Sequence, residues 1–83
     1  MRKTIHSPAH KTFCSLLREE RQRAGLSQTM LAEKLNKPQS FVAKIEMGER
    51  RVDLLELLTI ITAMGTDPVR FIRKLRRQLE TLT

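Results

Sequence analysis

Between Leu26 and Gly48 the chain carries two short helical patterns back to back, L-S-Q-T-M-L-A-E-K-L and then P-Q-S-F-V-A-K-I-E-M-G, separated only by Asn36 and Lys37. They cannot merge into one rod, because Lys37 precedes Pro38 and the residue before a proline is steered out of the helical region. Asn36 suits the corner, since asparagine tolerates positive φ better than any residue except glycine. Ser27 supplies the first start signal, its hydroxyl accepting from a backbone N–H two or three residues on. Met30, Leu31 and Leu35 then recur at helical spacing. Ala32 falls where the next helix crosses, and a small side chain lets two axes approach to about 8 to 10 Å. Pro38 is pre-set for a first helical position, so the second helix is expected from about Pro38, with Gly48 as its stop.

This is the layout of a helix-turn-helix, whose second helix is held out for a nucleic-acid groove. In that second helix Val42, Ile45 and either Phe41 or Met47 face the core. Gln39, Ser40, Ala43 and Lys44 are left along the outward face. Gln39 donates and accepts together, which suits the edge of adenine, and the Ser40 hydroxyl adjusts to several bases. Lys44 reaches either guanine or a phosphate. Gln28, Thr29, Lys37, Arg50 and Arg51 form the expected phosphate clamp, because helix starts and the loop after the second helix border the groove.

The residues G-L-S-Q-x-x-L-A-E-K-L, P-Q-S-F-V-A-K-I-E-x-G-E-R-R and L-L-x-I-x-x-A-M-G resemble the phage-repressor-like regulators of the Cro/C1 or Xre type. The resemblance runs from about Leu17 to Ile72. It implies an all-α fold, a compact five-helix bundle of the lambda-repressor-like DNA-binding type with its last helix extended and amphipathic. It implies further that Gln28 contacts a phosphate, that Gln39 and Ser40 read bases, and that Arg21 pairs with Glu46 as a structural ion pair. Three positions depart from the family pattern. Asn36 replaces the commoner Gly, Pro38 replaces the commoner Ser or Thr cap, and Met30 stands where an acid often completes a capping box.

Eighty-three residues suffice for one small domain. A chain of this size buries only roughly 60 to 65% of its unfolded surface, which leaves little core for an enzyme pocket. Sixteen Lys and Arg against nine Asp and Glu give a formal charge of +7, a surface that attracts polyanions. The excess concentrates toward the motif half, with six Lys and Arg against two Glu up to Leu26. There is no Tyr or Trp and only three Phe, so stacking on single strands is poorly supported and duplex DNA is favoured over RNA. One cysteine, Cys14, asks for no oxidising compartment. No apolar run approaches the roughly 18 residues of a spanning helix. A soluble cytoplasmic protein without membrane contact is expected.

His6, His10 and Cys14 lie four apart, but three ligands are incomplete for a structural zinc site and no metal is expected. No Gly-rich phosphate loop, nucleophile–base pair or carboxylate cluster is present, so the chain is read as a non-enzyme without cofactors.

Outside the motif, Ser7-Pro8 starts a helix to about Ala24 with Phe13, Leu16, Leu17 and Ala24 on one stripe. Asp53 opens another through a D-x-x-E capping box completed by Glu56, with a staple between Val52 and Leu57. That helix, to about Met64, is apolar nearly all round. A last helix from Asp67-Pro68 carries Ile72, Leu75, Leu79 and Leu82 at 3-4-3 spacing, which either folds back on its own core or pairs with a second copy. The chain is thus expected to divide into a basic arm at 1–7, a helix-turn-helix DNA-binding domain at 8–66, and a C-terminal helix at 67–83. Leu54, Ile60, Met64, Ile72, Leu75 and Leu79 are the expected homodimer face.

The function expected is a repressor or autoregulator that binds a two-fold-symmetric operator as a dimer. The alternative is an antitoxin-like module whose late helices mask a protein partner while the motif binds its own operator.

Overall fold

The computed structural model describes residues 7–82, which form five α-helices and no strand: α1 (Pro8–Arg23), α2 (Gln28–Leu35), α3 (Gln39–Glu46), α4 (Leu54–Ala63) and α5 (Pro68–Glu80). The expected basic arm lies outside the described residues except for Ser7, as does His6. No described helix is long and apolar enough to cross a membrane.

The helix starts follow the local chemistry. Ser7 accepts from the His10 amide at 3.1 Å, Ser27 from Met30 at 3.0 Å, and Asp67 from Val69 at 3.1 Å. At α4 the capping box is closed in both directions, Glu56 N to Asp53 Oδ1 at 2.8 Å and Asp53 N to Glu56 Oε1 at 3.2 Å. Pro38 departs from expectation. It is the residue before α3, extended at φ −70° and ψ 156°, and it offers no side-chain cap, so α3 begins at Gln39. Between α2 and α3 the turn is closed by Asn36 at φ 59° and ψ 43°, which lets the Lys37 amide reach the Ala32 carbonyl at 2.9 Å.

All five helices contribute to one core. Leu16 and Leu17 of α1, Leu31 and Ala32 of α2, Val42 and Ile45 of α3, Leu57, Ile60 and Ile61 of α4 with Met64 at its C-cap, and Phe71 of α5 are buried together. The most extensive helix–helix contact is between α2 and α3, and Ala32 of α2 is buried. α1 packs on both α3 and α5, so it stands between them.

Several expectations about the core need correcting. On α5 the anchor is Phe71, 1% exposed and edge-on to Phe13 with ring centres 6.3 Å apart, whereas Ile72 beside it is 43% exposed. Of the two alternatives for the 3-4-3 series, folding back on the core is met only by Leu75, while Ile72 and Leu82 stay exposed. Ile60 and Met64 lie in the monomer's own core and are lost from the expected dimer face. Met30 and Met47 are exposed, which leaves the half-buried Phe41 as the third core-facing residue of α3. Ala24 is exposed too. Val52 and Leu57 both lie against the core, as a staple requires. The all-round apolar α4 resolves into a buried side and an exposed one made of Leu54, Leu55 and Leu58.

Candidate nucleic-acid interface

α3 is eight residues long, too short to hold itself in water, so its orientation depends on what its buried side meets. Val42 and Ile45 enter the core and Glu46 is buried with them. Gln39, Ser40 and Lys44 are exposed, as base readers must be, and Ala43 is half-buried.

The Glu46 carboxylate is the fixed point of the site. Only 1% of its side chain is exposed, against 9% for Arg21. Arg21 donates to it twice, Nε to Oε2 at 2.6 Å and Nη2 to Oε1 at 3.0 Å, and gives Nη1 to the Leu26 carbonyl at 2.8 Å. The structural pair is therefore bidentate, the geometry in which guanidinium and carboxylate bind most strongly. Arg18 stands farther off at 3.7 Å. Burial, and secondly the charge of Glu46, push the neighbouring Cys14 thiol above its ordinary value. Cys14 Sγ donates to the Ile45 carbonyl at 3.2 Å, so it serves as a buried tie between α1 and α3.

From Glu46 a chain of amides leads outward. Gln28 Nε2 donates to Glu46 Oε1 at 2.9 Å, and Gln28 Oε1 accepts from Gln39 Nε2 at 2.7 Å. With one N–H given to Gln28, the Gln39 carboxamide keeps its other N–H and its carbonyl for a ligand, in an orientation set from behind. Gln28 thus links the buried ion pair to the exposed tip of α3, a connection that spacing in the sequence does not reveal.

On the opposite edge of α3 the half-buried Phe41 ring is flanked by two cations, Lys37 at 5.3 Å and Arg50 at 4.7 Å from its centre. Arg50 also grips Glu56 with both terminal nitrogens, at 3.1 and 2.8 Å, and donates to the Arg51 carbonyl at 2.7 Å. A phosphate contact by Arg50, its expected role, would compete with this pair. The Arg50 guanidinium is paired at the surface with Glu56 near the start of α4 while it stands over the Phe41 ring. The hydrogen bond from Arg50, then that from the Asp53 backbone, holds the Glu56 carboxyl below its ordinary value. Thr29, Lys37 and Arg51 remain exposed at the border of α3, and Gln28 is half-buried.

A family profile for the helix-turn-helix matches residues 17–71. Among solved structures, an XRE-family-like protein from Pseudomonas syringae pv. tomato str. DC3000 is 42% identical, with TM-score 0.82 over 92% of this chain and 93% of that one. A tyrosine-to-phenylalanine mutant of the restriction-modification controller protein C.Esp1396I shares the fold at TM-score 0.79 and 23% identity, over 88% of this chain and 92% of that one. No curated protein matches. The paired helices around Asn36, the polar tip of α3 and these likenesses agree: the chain belongs to the Cro/C1, or XRE-type, helix-turn-helix family of DNA-binding transcription regulators.

Proposed function

We propose that the chain is a sequence-specific repressor or autoregulator that works in the cytoplasm and binds a two-fold-symmetric duplex operator as a homodimer. The observation that carries this is the tethered Gln39 amide, exposed at the start of α3 and oriented through Gln28 by a buried ion pair. Gln39 reads adenine, Ser40 an adjacent base, and Lys44 a guanine or phosphate one turn on. Gln28, through its remaining N–H, joins Thr29, Lys37 and Arg51 on the phosphates. Two copies related by a twofold axis place two such helices in successive major grooves roughly 34 Å apart.

The self-association surface draws on two of the apolar side chains the monomer leaves outside, Leu54 on α4 and Ile72 on α5, continued by the half-buried Leu75 and Leu79. The test is selection of bound sites from random duplex DNA at fixed salt, with sedimentation of the protein alone and with the selected site. A recovered inverted repeat and a dimer on it support the reading. Absence of an enriched motif, or a monomer in both conditions, ends it. Arg51→Ala should weaken all duplexes alike and lower the slope of log affinity against log salt by about one unit.

A second reading is favoured by Leu54, Leu55 and Leu58, which form an exposed aliphatic edge on α4. In it the late helices mask a partner protein, as an antitoxin would. Purification only in company with another gene product would support it against the homodimer.

A further inference from the structure

α5 has three sides. At about 100° per residue, Phe71 points to the core with the half-buried Leu75 and Gln78 at its two edges, Ile72 and Leu79 continue the flank beyond Leu75, and Arg70, Arg73, Lys74 and Arg77 fall to the other. The basic flank lines a groove of about 460 Å³ in which Asp67, at its end, is the only acid among the described lining residues, and that carboxylate caps the helix through Val69. Arg70, Arg73 and Arg77 are exposed and make no ion pair among the described residues, while Lys74 is held by the buried Glu20 at 3.2 Å. Like charges at three- and four-residue spacing repel and destabilise a helix. Apart from Glu20 on Lys74 and Asp67 at one end, no described residue offsets this repulsion, so an external anion would relieve it.

We infer that this flank of α5 is a second DNA-backbone site, which takes the phosphates of a duplex segment other than the one entered by α3. Three of the four cations are arginine, whose planar fork matches phosphate oxygens in pairs. They are strung along one helix axis over about 10 Å, at 1.5 Å per residue, as a run of successive phosphates requires. Among the described residues no aromatic or aliphatic side chain lines the groove, so an acidic peptide would find no apolar anchor there. The site is separate from α3 because α1 lies between them. On α1 the consecutive buried residues Glu20 and Arg21 reach in different directions, Glu20 to Lys74 of α5 and Arg21 to Glu46 of α3. The inference goes beyond the regulator reading. It gives each copy a second hold on DNA, able to bridge or wrap neighbouring segments.

The test loads the full chain onto its tethered selected operator and measures capture of a labelled random-sequence duplex from solution. The triple variant Arg70→Gln/Arg73→Gln/Arg77→Gln should occupy the operator like the parent and melt no lower, because it loses only mutual repulsion. Its capture of the second duplex should fall about tenfold or more, and its salt slope on random duplex by about 2 to 3 units. The triple arginine-to-lysine variant should recover most of both. Equal capture by parent and glutamine variant overturns the inference, as does label displaced by phosphatidylserine vesicles but not by unlabelled duplex. A parent that binds no operator refutes the regulator reading instead, and the salt slope on random duplex still decides the α5 site.

Discussion

Two arginine–glutamate pairs flank α3, and both are bidentate. Arg21–Glu46 lies under the helix with 9% and 1% of its side chains exposed, while Arg50–Glu56 lies beside it with 37% and 34% exposed. The same chemistry therefore meets two dielectric settings. In the buried pair neither charge can fall back on water, so each partner depends on the other, and Glu46 becomes a rigid anchor for Gln28 and Gln39. In the exposed pair solvent substitutes readily, and the bond is a tether whose loss the fold survives. Depth, more than hydrogen-bond count, separates the group that sets the reading surface from the group that trims it.

Breaking the buried pair should give the largest effect. Glu46→Ala leaves Arg21 charged without its partner and should cost about 3 to 5 kcal/mol in urea unfolding. If the loss is below that of the exposed pair, the contrast fails. Phe71→Ala, which empties a core position far from either pair, should cost about 3 to 5 kcal/mol as well, without altering sequence preference in whatever protein stays folded. Gln39→Ala is expected next. It should leave stability nearly unchanged and reduce discrimination by about 1 to 3 kcal/mol at one base pair, measured by competition among single-site operator variants.

The smallest effect belongs to the exposed pair. A double-mutant cycle over Arg50→Ala and Glu56→Gln should give a coupling of about 0.2 to 1 kcal/mol that shrinks with salt. Because the folded Glu56 carboxyl lies below its ordinary value, its contribution is present above the unfolded carboxylate range. It is lost as pH falls through the folded value. Glu56→Gln should therefore flatten the acid side of the stability curve, read as the urea midpoint against pH.

Much of this was legible in the residues, and the limits are physical. Ser27, Asn36, Asp53, Glu56 and Gly48 act through bonds to near neighbours, so their roles follow from spacing alone. The Arg21–Glu46 pair came from family likeness, since twenty-five positions separate the two. Periodicity did not single out Phe71 as the anchor of α5 because a helix stripe fixes a face only to within one residue, and Phe71 and Ile72 are adjacent. It misjudged Ile60 and Met64 because an apolar helix has no polar side to mark which residues stay out. The tie of Arg50 to Glu56 and Phe41 joins a loop to two helices and leaves no periodic trace. A summed charge hides local order: over Val52 to Thr83 four acids nearly cancel five cations, yet all five cations sit on α5.

The Gln28–Gln39 bond bears on attempts to give this scaffold a new target sequence. Position 39 is the obvious one to randomise, yet any side chain that no longer meets the Gln28 carbonyl also loses the brace behind it. Libraries that vary residues 28 and 39 together should yield sharper new specificities than libraries that vary 39 alone.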